Sequence, residues 1–140
     1  MIRLSALTLA ATFAAVGIAF AATPPPSVAV KLDPQPGSKI AGTATIVHVS
    51  LKPPVVDVTI VLDGVFIPEN QYPAGVYRGT CAKLGATPEY QLNPVVGGRS
   101  KTQVKPTAMK PGPYAVAVFN TTGAHTMSCG ELPMVHHHEH

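Results

Sequence analysis

His136-His137-His138-Glu139-His140 places four imidazoles and one carboxylate within five residues of a 140-residue chain. Neutral imidazole is a borderline ligand, so a tract of this kind suits Cu(II), Ni(II) or Zn(II). His125, Met127 and Met134 stand nearby in the sequence and add softer donors, the methionine thioethers among them, that suit Cu(I). The chemistry implied is capture of copper or zinc at His136, His137, His138 and His140, for storage, buffering or delivery. Two blander readings stand beside it. One is a purification tag, although Glu139 interrupts the run; the other is a terminus whose histidines have no role.

Other residue patterns exclude more than they suggest. There is no Gly-x-Ser-x-Gly, no Ser/His/Asp signature and no glycine-rich phosphate loop. Asp57 and Asp63 read as solvated carboxylates. His48, on a strand face with Ile46 and Ser50, and His125 read as surface histidines, because a lone imidazole seldom makes a site. Tyr72, Tyr77 and Tyr90 fall close together in sequence; packing is the commoner use of tyrosine, and lining a ligand groove is the alternative. The net charge of +3 comes from basic residues scattered singly, with only Arg99 to Lys105 approaching a cluster. Nucleic-acid partners want a concentrated basic stripe, which this chain lacks.

The two cysteines, Cys81 and Cys129, are read through the start of the chain. Met1-Ile2-Arg3 supplies one positive charge, an uncharged run extends from Leu4 to Ala22, and Ala19-Phe20-Ala21 offers small residues at a peptidase spacing. This pattern predicts a secretory signal peptide over 1–21, a periplasmic or secreted bacterial product, and no membrane span after cleavage. The alternative, a retained helix, meets the immediate Pro24-Pro25-Pro26. Outside the cytosol an even cysteine count predicts a disulfide between Cys81 and Cys129. On the chain-entropy account, closing that loop stabilises the fold by about 4 kcal/mol.

Fifteen prolines and no tryptophan describe a β chain, since each proline removes a donor and stops a helix. Residues 22–38 form a proline-rich leader with a possible first strand at Val28 to Leu32. Residues 39–133 form the domain, and 134–140 the tail. Gly42 to Leu51 alternates, with Thr45, Val47, Val49 and Leu51 on one face. In Val55 to Leu62 the residues Val56, Val58, Ile60 and Leu62 share a face. Gly75 to Thr80, Ser100 to Lys105, Tyr114 to Phe119 and His125 to Ser128 are further strands, and Pro88 to Gly98 reads as a loop. Short strands punctuated by Pro/Gly turns predict an all-β antiparallel sandwich or barrel.

Several segments then resemble a known group. Gly42-Thr43-Ala44-Thr45, Gly79-Thr80-Cys81-Ala82-Lys83-Leu84, Leu92-Asn93-Pro94-Val95-Val96, Pro113-Tyr114-Ala115-Val116 and Cys129-Gly130-Glu131-Leu132-Pro133 recur in this order. Over Lys39 to Pro133 the chain resembles exported bacterial CHRD (chordin-type) and Cu/Zn superoxide dismutase-like domains. The resemblance implies a Greek-key β-sandwich, superoxide dismutase-like or immunoglobulin-like, with a cysteine pair tying a loop to the last strand. In those relatives a His-x-His pair commonly precedes Gly-Thr-Cys, and it resembles the two-histidine strand on which dismutases hold copper. Here Gly75 and Tyr77 occupy those places, and Phe119 the place of a further histidine. The expectation is a non-enzymatic binding or structural module of the envelope, with no required cofactor and an envelope protein or metal ion as partner. A copper or zinc binder working through the tail is the alternative, and an active dismutase comes last.

Overall fold

The computed structural model describes residues 27–106 and 110–133, and it is all-β and antiparallel. Its strands are β1 (Ser27–Pro34), β2 (Ile40–Leu51), β3 (Pro54–Gly64), β4 (Tyr72–Thr80), β5 (Lys83–Leu84), β6 (Tyr90–Val95), β7 (Arg99–Val104), β8 (Tyr114–Phe119) and β9 (Thr126–Glu131). They form one curled sheet in the order β5-β4-β8-β9-β1-β2-β3-β7, with β6 also pairing β4. Among the described residues no helix is long and apolar enough to cross a membrane.

β1 holds the curl together. Ser27 to Leu32 pair with β2, whereas Asp33 and Pro34 pair with β9. The strand read as part of the leader thus sits inside the sheet, and Leu32 is fully buried.

β6 closes the other side. Val96-Gly97-Gly98-Arg99 turns with both glycines at positive φ, 62° and 79°, as a two-residue hairpin turn requires. The segment read as a loop is therefore a strand. Asn93 and Pro94 gave a turn signal, but together they oppose Pro73 of β4 at an irregularity in the ladder, where a missing N–H is tolerated. Beyond the turn, Asn93 ties β6 to β7. Its backbone N–H donates to Thr102 Oγ1 (2.7 Å), its Nδ2 donates to the Lys101 carbonyl (2.8 Å), and its own carbonyl accepts from Ser100 Oγ (2.7 Å).

The inward faces follow from the period of two. Val56, Val58, Ile60 and Leu62 of β3 are all buried, as their alternation predicts. Strand β8 is buried on both sides. Tyr114, Val116 and Val118 enter the main core; Ala115 and Ala117 enter a second cluster with Cys129, covered by Tyr77, Cys81, Leu84 and Phe119. The Cys81–Cys129 disulfide is formed, with a Cα–Cα distance of 5.8 Å. It draws the end of β4 across the outer face of β8 to β9.

Strand β2 resolves the ambiguity of its two apolar faces. Ile40, Ala44 and Ile46 face the core, while Val49 and Leu51 are 54% and 69% exposed. The register shifts between His48 and Ser50, leaving Val49 as an extra residue. One inward group is mismatched: Ser128 Oγ is fully buried and finds no hydrogen-bond partner among the described residues. Ser128→Ala should therefore be neutral or raise the unfolding free energy by about 1 kcal/mol, read by urea denaturation. A loss above that size would show that the hydroxyl has a partner in solution.

Candidate functional site

The two ends of the curled sheet are filled differently. At one end Leu32, Ile40, Leu62, Tyr72, Val95 and Val118 close the interior with large side chains. The β3–β4 connection seals it: Phe66 packs against the core, and the Ile67 N–H donates to Tyr72 Oη at 2.9 Å. This end is plugged.

The opposite end is hollow, with a cavity of about 690 Å³. Its wall is Val28, Ile46, Val56, Val58, Val76 and Val104, one or two residues from each of β1, β2, β3, β4 and β7. The cause lies in side-chain size. Where the plugged end has leucines, isoleucine and tyrosine, this end has mostly valines, which reach less far from the sheet. A space of this volume lies in the range of small-molecule sites, roughly 300–1,000 Å³, which are mostly apolar and often sit in the mouths of β-barrels.

The rim is more polar. Tyr90, Lys110, Gly112, Tyr114 and Pro133 line it, and His48 is the last cavity-lining residue of β2. Tyr114 is buried, and its hydroxyl donates to the Lys110 carbonyl at 2.9 Å. That bond, with the prolines of Lys110-Pro111-Gly112-Pro113, fixes the turn into β8 at the mouth. His48 was expected at the surface; it is half-buried on the cavity wall instead, because β2 turns its Ile46 face inward. The signal was present in the alternation of Ile40, Ala44, Ile46 and His48. Of the three clustered tyrosines, Tyr90 lines the cavity, Tyr72 plugs the far end, and Tyr77 points outward.

Gly75, Tyr77 and Phe119 are brought together by β4 and β8. The rings of Tyr77 and Phe119 meet edge-on, with centroids 5.4 Å apart and planes at 63°. Gly75 makes room for this: a Cβ there would stand 3.0 Å from the Tyr77 ring and 3.1 Å from Pro88. Burial pushes the Tyr77 phenol above its ordinary value of 10.0. The three positions where the resemblance places copper ligands form an aromatic contact instead. Their donor set does not fit copper, since glycine and phenylalanine offer no ligand and a high-pKa phenol is a poor one.

Among the described residues no group of three or more His, Cys, Asp or Glu could hold a metal ion. His125 and Met127 line, with Asn120 and Gln35, a second hollow of about 510 Å³ outside the filled interior at the plugged end. Asp57, read as a solvated carboxylate, lies on the outer side of β3 with its side chain 23% exposed, beside Lys101 at 3.9 Å. His136, His137, His138 and His140 lie outside the described residues, as do the signal segment 1–21 and Met134. No family model, curated protein or solved structure matches the chain.

Proposed function

We propose that this protein is a non-enzymatic, exported binding domain of the bacterial envelope, and that its hollow end is the binding site. The observation that carries the reading is the apolar cavity of about 690 Å³, opposite an end whose interior is filled by large side chains. A sheet that fills one end with leucine, isoleucine and tyrosine has the means to fill the other. The disulfide supports export, because such bonds persist in oxidising compartments. The same reading carries the kinship to CHRD-type and dismutase-like sandwiches, with the scaffold kept and its copper ligands replaced by Gly75, Tyr77 and Phe119.

Ile46→Trp provides the test, because an indole on that wall fills the space. A neutral solvatochromic dye such as Nile red should bind the unmodified protein stoichiometrically and lose at least about tenfold in affinity in the variant, on loss of roughly 1.4 kcal/mol of contacts. The melting temperature should hold or rise. Equal dye binding by both proteins would remove the cavity as the site.

A second reading, metal capture by the tail, is favoured by one placement. Pro133, from which the tail continues, lines the same cavity as His48. Stoichiometric submicromolar Cu(II) or Zn(II) binding that disappears on deleting residues 134–140 is the outcome this reading requires. No binding in the intact protein would sink it.

A further inference from the structure

We infer that the hollow end takes an amphiphile with an apolar body and an anionic head group, which Lys110 and His48 receive at the mouth. The inference rests on the reading of that cavity as a ligand site, and adds the chemical class of the ligand.

Charge makes the case. Among the described residues, the ionisable groups lining the cavity beyond its two tyrosines are Lys110 and His48, and no carboxylate lines it. The acids nearest in sequence are turned away. Asp57 lies on the outer side of β3 with Lys101, and Glu89 and Glu131 are exposed beside the lining residues Tyr90 and Leu132 without lining the cavity themselves. A cup with valine walls and a cationic rim attracts an anion and repels a cation, and its low-dielectric wall focuses that field.

Position completes it. An anionic head buried among the valines would be desolvated without a partner, which is costly. At the mouth it keeps water on one side and meets a donor on the other. The Tyr114 hydroxyl holds the Lys110 backbone in place, so the flexible lysine stem can lie along the apolar rim with its ammonium outward. His48 offers a ring N–H from β2. Two donors, one on β2 and one in the connection from β7 to β8, define where the head sits and therefore how the body enters.

Decanoate, decanol and decylamine share one apolar body and differ in head charge, so calorimetric titration with each isolates the head. Decanoate should bind about fivefold tighter than decanol, a modest factor because the lysine is solvated, with decylamine weakest. Lys110→Glu should reverse the order of the two charged ligands, and retained decanol binding by that variant reports an intact cavity. His48→Gln should narrow the decanoate preference without reversing it. Equal affinity for decanoate and decanol, or an unchanged ranking in Lys110→Glu, overturns the head-group assignment while the cavity stands. Failure of all three to bind overturns the cavity itself.

Discussion

Replacing Cys81 and Cys129 together by alanine lowers the unfolding free energy by about 4 kcal/mol, a large share of the roughly 5–15 kcal/mol that holds a domain folded. The bond joins positions 48 residues apart, so its loss returns considerable freedom to the unfolded chain. It also has a local task. Ala115 and Ala117 are fully buried on the outer face of β8, under Cys81, Leu84, Tyr77 and Phe119. Methyl groups alone hold little there, and the cover depends on Cys81 being drawn across to β9. Alanine is the right substitute at Cys129, which is 1% exposed, because serine would bury an unpaired hydroxyl. Urea unfolding of the oxidised protein and the double variant reads the difference. A loss below about 1 kcal/mol would mean that the loop is already constrained without the bond.

The second large effect is a contrast between two isoleucines. Ile60→Ala should cost about 4 kcal/mol, because the side chain is fully enclosed and its removal leaves a new void in packed surroundings. Ile46→Ala should cost about 1–2 kcal/mol, since Ile46 already faces the hollow and has fewer contacts to lose. The same chemical change at two inward positions thus reports whether the interior is packed or open. Equal costs, measured by chemical denaturation, would mean that the mouth is as tightly packed in solution as the far end.

These contrasts explain what the amino-acid pattern could and could not convey. Strand β3 was legible because Val56, Val58, Ile60 and Leu62 alternate with polar or less buried neighbours and nothing interrupts them. Strand β8 was legible from Tyr114-Ala115-Val116-Ala117-Val118-Phe119, and the pairing of Cys81 with Cys129 from their number. β6 was not, because Asn93-Pro94 carries the composition of a turn, and its role as a strand depends on β4 and on the hydrogen bonds of Asn93 to β7. The direction of β2 was not, because Val47, Val49 and Leu51 are as apolar as the face that packs inward. What decides it is the company of β1 and β3.

The cavity was least legible of all. It is made by Val28, Ile46, Val56, Val58, Val76 and Val104, residues that each look like ordinary core and come from five strands. A void is a property of their sum. The resemblance pointed elsewhere, to the outward positions Gly75, Tyr77 and Phe119, which make an aromatic contact on the opposite face of the sheet. His48 is unremarkable in sequence, and it reaches the wall of the hollow by continuing the inward alternation of Ile46 before the register shift.

The central claim is that the hollow end binds a small apolar-bodied molecule. Methyl-selective NMR of the isotope-labelled protein titrated with decanol tests it most directly. The expected result is saturable shifts of the Ile46, Val58, Val76 and Val104 methyls, with those of Ile60 and Leu32 unmoved. Shifts spread over the exposed Val49, Leu51 and Val65 without saturation, or no shifts at the valine wall, would contradict it.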